Sequence, residues 1–352
     1  MNKAKNNWRR ESVKISKKLK SLGLVAIICV GLVGCASTDA SSYKSDTNQT
    51  VTKGYPVELT TYNYNGDEVK TTYDKAPEKV LAVYQGSIET MLELGLEDKL
   101  VAAAGLDNEL EDKYKEAFDK VEYLTEFTPS KETVTMLNPD MILSWGSIFS
   151  DEKLGDVNTW IEKGCNTYIN TNTRIKEGEK RTIENEMNDI LNLGKIFNVE
   201  DKAQKIVDNM QSKIDEALKA SKNQESQNAL VLEFLGDDIT NYGENSLAGD
   251  MVKSLGGNLV AKSQSKLGKE DIVSLNPDVI YVVYMPYSGD DPQKVKQENL
   301  DKLLKDESFK SLDAVKNGRV VPLMLGDMYA SGVRTANGIE TISQGLYPSL
   351  NK

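Results

Sequence analysis

Histidine is absent from all 352 residues of this chain, and cysteine occurs only three times. Histidine is the commonest general base and metal ligand in proteins, so its absence excludes Ser-His-Asp and Cys-His catalytic sites. It equally excludes zinc or haem bound through imidazole. We expect no catalytic residues and no metal bound directly by the protein, although metal binding by carboxylates alone stays open.

The chain also lacks an apolar run long enough to cross a bilayer, which takes about 20 helical residues. The apolar run at residues 22–34 has thirteen residues and follows eight Lys and Arg side chains. This pattern is typical of a signal peptide, which we place at residues 1–34. The run ends in Leu32-Val33-Gly34-Cys35, which resembles the lipobox of bacterial lipoproteins. That resemblance implies that Cys35 is acylated, as by palmitate, and anchors the protein at the extracytoplasmic face of the cell membrane.

Positive charge becomes scarce once this segment is removed. The mature chain would keep 35 basic and 53 acidic side chains, a net charge of −18. Such a chain would be repelled by nucleic acid and by anionic lipid headgroups, so both are excluded as partners apart from the lipid anchor. If Cys35 is acylated, Cys165 has no intramolecular disulfide partner, and we interpret it as a buried apolar residue.

The mature chain alternates short apolar strands with helices, which predicts an α/β fold with mainly parallel sheets. Residues 57–73 predict a β-hairpin with a type I′ turn at Asn65-Gly66. Helical periodicity dominates from about residue 181 to residue 221, with a break at 198–201. We predict two Rossmann-like lobes joined by a long rigid linker helix, with a ligand cleft between the lobes. The segments are a signal peptide (1–34), a tether (35–54), an N-terminal lobe (55–199), the linker helix (200–222) and a C-terminal lobe (223–352).

An internal repeat supports the two-lobed interpretation. Residues 131–142 and 269–280 are identical at seven of twelve positions. Each copy predicts a short helix, a break at Asn-Pro, and a buried strand. A matched unit of this length in both halves indicates that the lobes share one architecture.

Together these features resemble the substrate-binding lipoproteins of ABC importers, in the class with a rigid helical linker that serves ferric siderophores, haem and cobalamin. The resemblance runs from Lys75 to the C-terminus, and Ser331-Gly332-Val333-Arg334 is like the siderophore branch. It implies an ABC permease and its ATPase as partners, and a small-molecule iron chelate as cargo. In that class one exposed Glu on each lobe docks onto Arg residues of the permease, and the matching positions are Glu132 and Glu270, the Glu of each repeat copy.

Ligands of two-lobed α/β proteins bind beyond the carboxyl ends of the strands. Aromatic residues are only 7% of the chain, yet each of four predicted strand ends carries one. Aromatic walls suit a large, partly planar ligand. The mature chain has four Arg, and a rigid guanidinium suits anionic oxygens around ferric iron. We rank Arg334 first as the cation that binds the ligand, and we interpret Arg181 as a surface residue at a helix start. The predicted ligand-binding set is Arg334, Trp145, Tyr84, Tyr284, Arg174, Tyr287, Gln85, Ser147 and Phe234.

The residues leave several alternatives open. The same importer role could serve haem or a corrinoid instead of a ferric siderophore. A lipid-anchored hydrolase that uses two carboxylates is the competing class, although no spacing marks out a carboxylate pair. The third alternative is an adhesin or scaffold protein, which would need no ligand-binding residues in the cleft. We expect a monomer with no cofactor, in which iron occurs only as part of the bound chelate.

Overall fold

The structure is a computed structural model that describes residues 54–174, 176, 178–222 and 224–351. It begins with an antiparallel hairpin of β1 (Val57–Tyr62) and β2 (Glu68–Tyr73). The predicted hairpin is confirmed, but its type I′ turn is wrong. Five residues connect the strands, and the Asn63 side-chain oxygen accepts the amides of Asn65 and Asp67. Gly66 has a positive φ but Asn65 does not, whereas type I′ needs both.

The N-terminal lobe contains a four-stranded sheet in the order β4-β3-β5-β6, with every pair parallel. Its strands are short and apolar, as expected for a sheet covered on both faces. Helices from this half of the chain connect the strands. The elements are β3 (Val80–Val83), α1 (Gln85–Glu93), β4 (Leu100–Ala104), α2 (Asp112–Phe118), α3 (Lys131–Leu137), β5 (Met141–Ser144), α4 (Val157–Glu162) and β6 (Asn166–Ile169).

The C-terminal lobe repeats this plan with an additional strand. Its sheet has the order β11-β10-β7-β8, and β9 pairs with the start of β7. All pairs are parallel except β7 with β8, which form an antiparallel hairpin. The elements are β7 (Asn228–Leu235), β8 (Asp238–Asn241), α7 (Leu247–Ser254), β9 (Asn258–Leu259), α8 (Lys269–Leu275), β10 (Val279–Tyr284), α9 (Pro292–Leu304), α10 (Asp313–Lys316), β11 (Val320–Met324) and α11 (Thr335–Leu346).

Two consecutive helices, α5 (Ile183–Phe197) and α6 (Glu200–Ser221), connect the lobes. Their apolar residues recur at helical spacing, and the left-handed Asn198 ends α5. One hydrophobic core contains residues of both sheets and of these helices, including Val80, Met210 and Tyr281. The outer face of each sheet has its own smaller core. The linker helix is therefore packed into the shared core along one face.

The repeat folds as one unit used twice. In both copies a seven-residue helix ends at a left-handed Asn, at positions 138 and 276, and a buried strand follows. The Asp after each Asn-Pro has the same role. Asp140 accepts the Lys79 amide just before β3, and Asp278 accepts the Asn228 amide at the start of β7. The predicted helix–turn–strand unit is confirmed in both lobes.

Candidate functional site

The carboxyl ends of the strands from both lobes meet at one place. The Gln85 side-chain oxygen accepts the amides of Asp107 and Asn108, in the loop after β4, at 3.1 and 3.4 Å. From the C-terminal lobe, the Ser288 amide donates to the Asp107 carbonyl, and the Asn108 amide group contacts the Met285 sulfur. Loops that follow β4 and β10 are thereby joined across the interface between the lobes. The predicted position of the cleft, at the strand ends, corresponds to this region.

Aromatic side chains form a cluster across this interface. The ring of Tyr84, at the end of β3, lies 5.0 Å from Trp145 and 5.8 Å from Phe127. Trp145 lies 5.9 Å from Tyr329, which follows β11 in the C-terminal lobe. The predicted pair Tyr84 and Trp145 is thus brought together, whereas Phe127 and Tyr329 were missed. Tyr329 stands two residues before the Ser-Gly-Val-Arg segment, which is the signal that could have identified it.

Tyr84 has a strained backbone conformation, which contacts with the neighbouring β4 end maintain. Its φ is 73°, in the left-handed region that a bulky residue seldom adopts. The Tyr84 amide donates to the Ala104 carbonyl, and a Cβ at Gly105 would come within 2.9 Å of the Tyr84 ring. Such conformations cost on the order of 1–3 kcal/mol and concentrate at functional sites. The strained turn supports the view that this strand end carries function.

Arg181 lies beside the aromatic cluster. Its guanidinium stacks on the Tyr329 ring at 3.8 Å and donates to the Tyr329 carbonyl and hydroxyl, each at 3.1 Å. Both of these partners are neutral, so the contacts with Tyr329 leave the positive charge of the guanidinium uncompensated at the edge of the cluster. Arg181 does lie at a helix start, directly before Thr182, the N-cap of α5, but its side chain is half-buried between the lobes instead of fully at the surface. The scarcity of Arg in the mature chain was the signal that could have identified it.

Arg334 is engaged in a buried ion pair. Its guanidinium donates to both carboxylate oxygens of Glu89 in α1 and to the Glu109 carbonyl. The side chains of Arg334 and Glu89 are 5% and 0% exposed. Burial raises the pKa of Glu89, and the hydrogen bonds from Arg334 and Gln85 oppose that rise. The pair joins the two lobes. This geometry does not favour the predicted ligand contact of Arg334, because its Nε and Nη2 donors already bind oxygens of the protein.

The other predicted ligand residues take different positions. Tyr284 and Tyr287 are half-buried around the β10 strand end, and burial together with Asp327 raises the pKa of Tyr284. Ser147 is half-buried two residues after Trp145. Arg174 stacks on the Tyr62 ring at 4.2 Å and pairs with Glu179 at 2.9 Å. Phe234 lies in the outer core of the C-terminal lobe against Phe309, a position that does not favour its predicted ligand contact.

Buried carboxyl groups near the interface were also missed. Glu186 in α5 accepts the Gly332 amide at 2.7 Å and an amide hydrogen of Asn172 at 2.6 Å. Burial and the neighbouring Asp189 raise the pKa of Glu186 to about 7. Burial raises the pKa of Asp189 to about 6 and that of Asp327 to about 7. The sequence signal for Glu186 and Asp189 was an acid within the apolar stripe of a helix.

The two predicted docking residues occupy equivalent positions. Glu132 and Glu270 are each the second residue of their helix, α3 and α8, and both side chains are exposed. The predicted lipidation site, Cys35, lies outside the described residues. Among residues 54–351, apart from the few left undescribed, no helix is long and apolar enough to cross a membrane. The same residues contain no group of three or more Cys, Asp or Glu side chains that could hold a metal ion.

Comparisons with known proteins agree with this architecture. A family model described as periplasmic binding protein matches residues 80–324. The petrobactin-binding protein YclQ of Bacillus subtilis (strain 168) is 25% identical over 338 residues, which cover 93% of this chain and 96% of YclQ. The match therefore extends over nearly the whole length of both proteins.

Two solved structures show the same fold. The first is a periplasmic binding protein from Veillonella parvula DSM 2008, with a TM-score of 0.78 and 28% identity, covering 84% of this chain and 93% of that one. The second is the siderophore-binding protein BauB, bound to ferric iron and two molecules of acinetobactin. It has a TM-score of 0.61 and 20% identity, and the match covers 82% of this chain and 99% of BauB.

Proposed function

The chain belongs to the periplasmic binding protein family, and we propose that it captures a ferric siderophore between its lobes for an ABC importer. The observation that carries this proposal is the aromatic cluster at the meeting strand ends, with the cationic Arg181 at its edge. Aromatic faces suit the planar groups of such a chelate, and a guanidinium suits its anionic oxygens. YclQ, a petrobactin-binding protein, and BauB, a siderophore-binding protein, support the same ligand class.

The proposed binding site combines three kinds of contact. Tyr84 and Trp145 form the wall of the N-terminal lobe, and Tyr284 and Tyr287 lie on the side of the C-terminal lobe. Arg181 holds the anionic oxygens of the chelate, with Arg174 as a second cation. Arg334 holds the lobes together through Glu89 and acts on the ligand only indirectly. Iron enters as part of the cargo, and the protein supplies no ligand to the metal.

The proposed partners are an ABC permease and its ATPase. Glu132 and Glu270 would dock on a basic permease surface, because two like-charged points on the two lobes fix the orientation of the bound protein. Acylation of Cys35 would keep the protein at the extracytoplasmic face of the membrane, close to that permease. One acyl chain gives only reversible attachment, so a lasting anchor needs more than one.

Tryptophan fluorescence tests ligand capture with a single reporter. The chain without its signal peptide has two Trp, and Trp160 lies buried in the core of the N-terminal lobe. A Trp160→Phe variant leaves Trp145 as the only reporter. We expect saturable quenching by ferric siderophores and weaker binding by the iron-free forms. Arg181→Ala should weaken binding roughly ten- to a hundredfold, since a charge-assisted hydrogen bond is lost.

The controls separate ligand contact from folding. Arg181→Lys should recover only part of the loss, because a point charge cannot reproduce the planar fork. Lys219→Ala, in the linker helix, removes an exposed charge and should leave the affinity unchanged. Quenching by haem or a corrinoid but by no ferric siderophore would overturn the ligand class. Hydrolysis of a ligand, or no binding at all, would overturn the binding role itself.

A further inference from the structure

The α3 helix exposes one large apolar side chain beside the proposed docking acid. Met136 is 85% exposed, the highest value among the large hydrophobic residues that are exposed in the described chain. It stands four residues after Glu132, and Thr135 stands three after it, so all three share one exposed helix face. We call these three residues the α3 face. An apolar side chain at this exposure buries little of its area against the fold.

A comparison of the two repeat copies shows that only the copy in the N-terminal lobe has an exposed apolar residue at this position. Position by position, Glu132 corresponds to Glu270, and Met136 corresponds to Ser274. Ser274 is exposed but polar, and the neighbouring Val273 is partly buried in the core of the C-terminal lobe. The two copies therefore share the acid and differ in the apolar residue. An acid alone would attract a basic surface equally at either lobe.

The surroundings of the two acids differ as well. Beside Glu132 lies a cavity of about 430 Å³, lined also by Pro129, Lys131 and Lys153. At the other copy, Lys269 is bound to Asp306 at 2.6 Å. The α3 face thus combines a protruding apolar side chain with an acid that lines a concave surface, which gives it a shape that a partner could match.

We propose that Met136 is an apolar anchor for the ABC permease, which inserts into a hydrophobic pocket of the permease surface next to the Glu132 contact. This inference rests on the proposed function and adds a contact that the two acids do not supply. Methionine is flexible and polarisable, and it adapts to pockets on partner proteins. Buried apolar anchors contribute binding free energy, whereas exposed charges mainly steer encounter and orientation. The anchor makes the N-terminal lobe the tighter of the two docking points.

Binding to right-side-out membrane vesicles tests the anchor. The vesicles come from host cells from which the gene for this chain has been deleted, and the probe is the labelled chain without its lipid anchor. Met136→Ser should weaken binding about tenfold, because burial of the Met side chain is lost. Met136→Leu should keep most of the affinity. Leu218→Ser, at an exposed apolar position of the linker helix, is the matched control and should change nothing.

The site of contact is checked by a photoreactive benzophenone amino acid. Placed at position 136, it should crosslink to the permease subunit, identified by mass spectrometry. Placed at position 218, it should give no such product. Equal vesicle binding of Met136→Ser and the wild type, or a crosslink to anything but the permease, would overturn the anchor.

A charge reversal separates this failure from failure of the proposed function. Glu132→Arg combined with Glu270→Arg should abolish vesicle binding. If it does so while Met136→Ser binds like the wild type, the anchor is wrong and the importer role stands. If the reversal has no effect, permease docking by these acids is wrong, and the anchor fails with it. Ferric-siderophore binding should stay unchanged in all these variants.

Discussion

Arg334 shows at the residue scale how a scarce cation can be engaged by an acid of the protein itself. Only four Arg lie beyond the predicted signal peptide, and we ranked Arg334 first among them as the cation for an anionic ligand. The structure instead pairs Arg334 with Glu89, and both side chains are almost completely buried. Removing one partner of such a pair leaves an uncompensated charge in the interior, which is far more costly than the pair is stabilising. We therefore expect stability to be the first property that changes when Arg334 is replaced.

Arg334→Ala should lower the free energy of unfolding by about 3–5 kcal/mol, because Glu89 is left buried without a counter-charge. The double variant Arg334→Met with Glu89→Leu should recover most of that loss, since no charge then remains in the interior. Urea unfolding followed by circular dichroism measures all three proteins. A stable Arg334→Ala protein with strongly weakened ferric-siderophore affinity would restore Arg334 to the ligand site.

At the element scale, the two repeat units let one substitution be compared in two contexts. Asn138 and Asn276 both end a helix in the left-handed conformation. The Asn276 side chain also exchanges two hydrogen bonds with Asp313, at 2.8 and 2.9 Å. Within the described residues, the Asn138 side chain makes no such bond. Both positions therefore require a left-handed backbone conformation. Only at position 276 does the Asn side chain also contribute hydrogen bonds.

Glycine adopts the left-handed conformation without strain, so Asn138→Gly should leave the free energy of unfolding within about 0.5 kcal/mol of the wild type. Asn276→Gly should lower it by about 1 kcal/mol, because the bonds to Asp313 are lost. Alanine should cost about 1–2 kcal/mol from backbone strain at position 138, and about 1 kcal/mol more at position 276, where the bonds to Asp313 are lost as well. Chemical denaturation of the four variants tests this. Equal losses for the two glycine variants would show that the Asp313 bonds contribute nothing.

At the scale of the whole molecule, buried carboxyl groups tie stability to pH. Glu186 receives the Gly332 amide and so connects α5 to the C-terminal segment that carries Arg334. The raised pKa values of Glu186, Asp189 and Asp327 mean that the folded protein binds protons more tightly than the unfolded chain does. Their contribution to stability is complete below pH 4 and is lost as the pH rises through 6 to 7.

We expect the melting temperature to fall by a few degrees between pH 5 and pH 8. Glu186→Gln keeps the shape of the side chain and cannot ionise, so it should flatten this fall. Asp306→Asn is the control. The Lys269 hydrogen bond lowers the pKa of Asp306 to about 2, so its contribution changes only below about pH 4. Differential scanning fluorimetry across this range measures the effect. The same slope in Glu186→Gln and the wild type would contradict the assignment.

Local patterns in the sequence determined the elements. Apolar runs bounded by Gly and Asn predicted the strands, and helical spacing predicted α5 and α6. The internal repeat of residues 131–142 and 269–280 predicted two equivalent lobes. Each of these signals depends only on residues that are close together in the sequence, because strand and helix periodicity are local properties of the chain. The Glu132 and Glu270 positions were predictable for the same reason, since they share one place in the repeat.

Only the tertiary structure decided which side chains meet between the lobes. The sequence favoured Arg334 over Arg181 as the ligand-binding cation, but packing pairs the first with Glu89 and stacks the second on Tyr329. Glu89 and Arg334 are 245 positions apart, and no local pattern records a contact of that separation. Phe234 lies in the outer core of the C-terminal lobe and Tyr329 lies in the aromatic cluster, because the burial of a side chain depends on the elements packed around it. Charge and residue type limit what such a site can bind, and three-dimensional packing selects the residues that form it.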